Sequence, residues 1–319
     1  MAGTSTYTDL DARLERLIRQ PNEDISAYLS TVEINVQIAD TKALAHCHML
    51  AFDGNDRPRA AELAAYLGNI IIDYAIPRSK IIEAQQRDLC ENTTRHVSEL
   101  KKKAKALFTD IEKTGEGGEL LLYLLAQSIL KMPQILCKMS LKTSGRVHIH
   151  GTDGLHIKYD TAINKLALYW GESKLYSNIG QAMTDCLDSI KPYLVDSSKN
   201  ANDRDLQLFR DNLDLIDSDL ETELLNYLDP DHPDFHKMQF RGVCLIGFDD
   251  DRYPTLPNQK AQSILENEIR ASIADWSGKL KTRLTSRSPL ETFILDIFLV
   301  PLPSVQNFRD VFLEEVKNA

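Results

Sequence analysis

The stretch Leu166-Ala167-Leu168-Tyr169-Trp170-Gly171-Glu172-Ser173-Lys174 is an apolar run that ends on two opposite charges, and Gly151-Thr152-Asp153-Gly154 stands about one hairpin upstream of it. Glycines on both sides of Asp153 mark a tight turn. Strands are expected on both sides of the turn, at 146–150 and 155–159, and the Glu-x-Lys strand follows at 165–174. Side chains alternate along a strand, so Glu172 and Lys174 share one face while Ser173 points to the other. A carboxylate and an ammonium can then meet a single phosphate.

The pattern continues on both sides. Gly115-Glu116-Gly117-Gly118 punctuates the chain before residues 119–130, which are apolar almost all round and so belong to a buried helix. Short strands are expected near 135–139 and 146–150. Residues 178–193 carry Ile179, Met183, Leu187 and Ile190 at helical spacing. The order is helix, strands with a hairpin, helix.

Glu119 opening a buried helix, Asp153 in a hairpin and Glu172-x-Lys174 at the next strand end together resemble the PD-(D/E)xK nuclease superfamily. More closely, Leu168-Tyr169-Trp170-Gly171-Glu172-Ser173-Lys174 behind Gly151-Thr152-Asp153-Gly154 is similar to the HamA/AbpA family, nuclease subunits of Hachiman-type anti-phage defence, over about residues 113–195. Thr152 stands where that superfamily often has proline. The resemblance implies an α/β, restriction-endonuclease-like core with a mixed central sheet flanked by helices, and cleavage of DNA dependent on Mg²⁺, with Mn²⁺ as a substitute. It implies Asp153, Glu172 and Lys174 as catalytic residues, and Asp153, Glu172 and the Ser173 backbone carbonyl as metal ligands. Hard oxygen donors of this kind suit an Mg²⁺ that keeps several waters. Lys174 would position the attacking water or offset charge on the phosphorane. Glu119 is a further candidate ligand and Gln181 a candidate phosphate contact. The implied partner is a superfamily 2 helicase of the HamB type.

Each element also has a plain structural reading. A Glu-Lys pair at a strand end is most often a surface ion pair contributing less than about 1 kcal/mol; the ordered set of neighbours points to a site. His148, His150 and His156 bracket the turn, but no third ligand follows at fixed spacing, so strand positions are the better reading. His46 and His48 carry still less signal. His156-Ile157-Lys158 approaches a phospholipase D signature, which fails because Ile163 stands where its Asp should be.

Residues 1–112 read as a mainly helical region with one strand pair: a helix at 11–19, alternating strands at 31–38 and 44–50, and helices at 58–75 and 78–108. The run Lys101-Lys102-Lys103-Ala104-Lys105 reads as a solvated helix face. Residues 113–319 form the expected nuclease domain, with a strand at 240–248, a helix at 259–281, a strand at 293–300 and a helix at 305–316. Residues 203–234 hold eleven Asp and Glu against Arg204 and Arg210, a density that repels a phosphate backbone.

The whole chain, 319 residues with 43% hydrophobic composition, is sufficient for a large core. The five cysteines are scattered and form no Cys-x-x-Cys, which excludes a disulfide framework and a zinc knuckle. No signal peptide or membrane-spanning run is found, so a cytoplasmic, non-membrane protein is expected. The net charge of −10 argues against nonspecific coating of nucleic acid and agrees with DNA delivered by a motor. No Walker-type loop is present to make the chain its own motor. Two alternatives remain: a non-catalytic assembly or regulatory subunit with a nuclease-like fold, and an RNA-directed nuclease.

Overall fold

The computed structural model describes residues 5–19, 25–108, 115–137, 152–195, 201–213, 215–255 and 258–318. In chain order the elements are α1 (Ser5–Glu15), β1 (Leu29–Gln37), β2 (Ala43–Leu50), α2 (Ala60–Ala75), α3 (Arg78–Glu91), α4 (Arg95–Ala106), α5 (Glu116–Ser128), β3 (Gly154–Asp160) and β4 (Lys165–Tyr176). They continue with α6 (Ile179–Val195), α7 (Ala201–Asn212), α8 (Ser218–Leu228), β5 (Met238–Asp249), α9 (Gln262–Arg270), α10 (Ile273–Thr285), β6 (Leu295–Leu302) and α11 (Val305–Asn318).

The described strands form one six-stranded mixed sheet in the order β1-β2-β6-β5-β4-β3. β4, β5, β6 and β2 run parallel at the centre, and the antiparallel hairpin partners β1 and β3 form the edges. The N-terminal strand pair is thus hydrogen-bonded through β2 and β6 into the sheet that carries the Glu-x-Lys strand, across the boundary expected at residue 112. A parallel centre must be covered on both faces. β6 is buried along its whole length, and helices lie on both sides.

α5 approaches β4 closely because it begins on glycine. A Cβ at Gly118 would stand 3.1 Å from both the Ser173 hydroxyl and Leu175 Cγ, and one at Gly117 3.2 Å from the Phe312 ring. These contacts explain why α5 starts at Glu116 and takes both glycines into its first turn, ahead of the expected start at 119. α6 covers the opposite face. There Trp170, fully buried, stacks on Tyr193 at 4.9 Å between ring centroids.

The helix expected over 78–108 is two helices. Asn92 adopts a left-handed conformation with φ 53°, and the Asp88 carboxylate accepts from the backbone N–H groups of His96 (2.8 Å) and Val97 (3.0 Å), capping α4 from the neighbouring helix. The helix expected over 259–281 also divides, into α9 and α10. Arg252 donates to the Glu268 carbonyl at 2.6 Å and to Ser272 Oγ at 2.7 Å at that junction. In place of a strand at 135–139, the described residues make only an isolated bridge, Gln134 to His156, beside β3. The strand expected at 146–150, with His148 and His150, and Gly151 of the turn lie outside the described residues.

Candidate functional site

The site forms where β3 stops and β4 goes on. Their last rung is Gly154 opposite Gly171, and beyond it β4 continues along β5. The Asp153 N–H donates to the Gly171 carbonyl at 2.8 Å. The Asp153 carboxylate then stands in for the missing strand: its Oδ2 accepts from the Ser173 N–H at 2.7 Å and from Ser173 Oγ at 2.8 Å. A strand residue presents its N–H and C=O to the same neighbour, so the Ser173 carbonyl shares this edge with Asp153. Thr152, where proline was the expected residue, is buried and ties the turn through its hydroxyl, which donates to the carbonyls of Gly154 (3.1 Å) and Gly171.

Glu172 and Lys174 face the other side of β4, as strand alternation predicts. Lys174 Nζ lies 3.0 Å from Glu172 Oε2, and Glu172 is only 4% exposed. Beneath them the Cys186 thiol of α6 lies 3.5 Å from the Glu172 carbonyl, and Cys244 of β5 is the register partner of Glu172. Contact with Cys244, together with burial, holds the Cys186 thiol well above its ordinary range, so the floor of the site is neutral. Burial is the largest single influence on Lys174 and by itself would lower its pKa. The charges of Glu172 and Asp153 and the hydrogen bond that Lys174 donates to Glu172 together outweigh it and raise the pKa. Lys174 is therefore an ammonium, and one that senses both acids.

Glu119 is brought to the same place through a residue that sequence reading missed. Tyr74 of α2, 1% exposed, donates to Glu119 Oε2 at 2.9 Å and also reaches the Asp153 carbonyl at 3.3 Å. Nothing in the sequence around Tyr74 sets it apart from an ordinary apolar helix. Gln181 is placed differently. It is exposed on the first turn of α6, where its Nε2 donates to Asp185 Oδ1 at 2.6 Å. It lines a crevice of about 390 Å³ with Tyr176, Asp249 and Arg309 at the C-terminal ends of β4 and β5, beyond Lys174. His156 is buried, shares a hydrogen bond with the Met132 carbonyl, and is pushed down to about 4 by burial, so it is a neutral core residue. His46 is likewise buried, bonded to Asp296 at 3.0 Å.

Among the described residues no three His, Cys, Asp or Glu side chains converge as a metal cage. The set at the strand end is two carboxylates and a backbone carbonyl with an ammonium beside them. Such hard oxygen donors fit a magnesium ion that retains waters, and do not fit a closed zinc site.

The sequence matches the HamA family over residues 26–316, nearly the whole chain. The chain belongs to the HamA family. HamA membership points to Hachiman-type antiviral defence as its setting. The match begins well before the strand-end motif, so the N-terminal residues that carry β1, β2 and Tyr74 are as much part of the HamA unit as the motif itself. No curated protein matches this HamA-family sequence. No helix among its described residues is long and apolar enough to cross a membrane.

Proposed function

We propose that this HamA-family chain is a metal-dependent DNA endonuclease of the PD-(D/E)xK type, the effector subunit of a defence complex whose motor is a superfamily 2 helicase. One observation carries the reading: Asp153, Ser173, Glu172 and Lys174 meet at the point where β3 ends, with Lys174 held protonated by both acids. Asp153, Glu172 and the Ser173 carbonyl would hold Mg²⁺ or Mn²⁺, which supplies Lewis-acid polarisation of a phosphate and a bound water of lowered pKa. Lys174 offers a fixed positive charge to the oxygens that become more negative during displacement. Ser173, through its N–H and hydroxyl, fixes the direction of Asp153, and Tyr74 fixes Glu119. The chain's acidity leaves it with little attraction for DNA at large, in keeping with delivery by a helicase.

A second reading, an assembly subunit that acts by contact, draws on the same geometry: the Asp153 and Glu172 carboxylates are engaged by Ser173 and Lys174. Plasmid nicking with Mg²⁺, comparing wild type, Glu172→Ala and Lys174→Ala with the helicase present and absent, decides between them. Loss of nicking in both variants is the expected result. Equal activity in all three would remove the catalytic assignment, and a parallel digest of RNA separates the two nucleic acids.

A further inference from the structure

The α3–α4 pair is a basic region in an acidic chain. Residues 78–106 carry eight Lys and Arg against four Asp and Glu, while the whole chain has a net charge of −10. The acids of the pair are largely occupied within it. Asp88 caps α4, Glu91 lies 3.0 Å from His96 and 3.6 Å from Arg95, Glu99 is paired with Arg95, and Glu83 with Lys80. Arg87, Lys102 and Lys103 are exposed and have no ion pair among the described residues. Arg87 and Lys103 line a groove of about 330 Å³ between the two helices, together with Lys80 and with Glu83 and Glu99, whose charges are taken up by Lys80 and Arg95; Lys102 is the chain neighbour of Lys103. A net excess of positive charge on an exposed surface is what a phosphate backbone seeks.

The position of the pair relative to the site gives this charge a use. Lys105, at the end of α4, is buried and donates to the Glu315 carbonyl of α11, so the helix is anchored in the body of the protein. Just past α4, Phe108 packs on Tyr74 with ring centroids 6.1 Å apart, and Tyr74 holds Glu119 and the Asp153 turn. At 1.5 Å per helical residue, Lys102 and Lys103 stand roughly 8–9 Å along the axis from Phe108. A duplex carries one charge per roughly 1.7 Å of length, so basic side chains tied this closely to the strand-end site offer charge to the same duplex.

We infer that the groove between α3 and α4, with Arg87, Lys102 and Lys103, is a duplex-DNA backbone-binding surface that seats the strand entering the Asp153–Glu172–Lys174 site. This rests on the nuclease reading above, and binding without metal separates the two. The 319-residue chain is titrated against a fluorescent 30-base-pair duplex in EDTA, over a series of salt concentrations, as wild type, Lys102→Gln/Lys103→Gln and Lys279→Gln. The double variant should bind about tenfold more weakly at low salt, with the slope of log K against log salt reduced by about 2, because each lost phosphate contact removes roughly 0.9. Lys279→Gln, at an exposed lysine of α10 paired with Asp275 and outside the groove, should bind as the wild type does. Both lysines are exposed, so an unchanged melting temperature is expected of the double variant; Arg87→Gln serves as an independent probe of the same groove. Wild-type affinity in both groove variants, or no binding by the wild type, overturns the inference. So does loss of helicase association with DNA affinity intact, which would assign the groove to a protein partner. A groove effect on binding together with no Mg²⁺-dependent nicking by the wild type in the presence of the helicase upholds the surface and removes the nuclease reading alone.

Discussion

Tyr74 donates its hydroxyl to the Glu119 carboxylate at 2.9 Å, joining α2 of the N-terminal region to the first turn of α5. The same hydroxyl reaches the Asp153 carbonyl at 3.3 Å. One buried phenol therefore ties the hairpin acid to the helix acid. Tyr74→Phe keeps the ring that packs on Phe108 and Tyr123 and removes only this tie. It should cost about 1 kcal/mol of stability by denaturant unfolding, with a larger proportional loss of Mg²⁺-dependent nicking. Full activity in Tyr74→Phe would show that Glu119 need not be held.

Ser173 acts on Asp153 from β4. Ser173→Ala removes the 2.8 Å hydroxyl contact and leaves the 2.7 Å backbone contact. Groups that orient a metal ligand typically influence affinity by 10–100-fold, so calorimetry should find Mg²⁺ binding weakened by about tenfold while the fold is retained. An unchanged affinity would argue that Asp153 is not a ligand.

Two buried histidines set an acid limit. Burial pushes His48 and His156 down to about 4, from an ordinary value of 6.5, so both are neutral when folded and protonate readily only in the unfolded chain. The unfolded state thus gains protons first as pH falls below about 6.5, and stability declines until about pH 4. Each contributes up to about 3 kcal/mol over that window. Urea midpoints should fall steadily between pH 7 and pH 4.5, and His156→Gln should flatten part of that fall.

Trp170 is the packing centre beneath the motif, fully buried and stacked on Tyr193, with Phe240 6.3 Å away. Trp170→Ala should cost about 3–5 kcal/mol, measured as a shift in denaturation midpoint. Trp170→Phe should recover most of it. A small loss in Trp170→Ala would mean that the α6 face of the sheet collapses easily into the space.

Strand periodicity was enough to predict β1, β2, β4, β5 and β6 close to their observed bounds, because alternation and continuous apolar runs are local signals. The division of 78–108 into α3 and α4 was not legible. Asn92 alone is a weak stop, and the cap on α4 comes from Asp88, eight residues before His96. The start of α5 was misplaced for a related reason: glycine reads as a breaker until the close packing of Gly118 on Ser173 and Leu175 is known.

By itself the sequence determined the α/β class, the strands β3 and β4 that follow Asp153 and the shared face of Glu172 and Lys174, since these follow from backbone periodicity over a few residues. Only the tertiary structure decided that the N-terminal strands join the same sheet, that Asp153 takes up Ser173 where β3 ends, and that Tyr74 holds Glu119 from 45 residues away in the chain. Those relations depend on which surfaces are buried against one another, and no local pattern encodes a hydrogen bond between elements that meet only when the core closes.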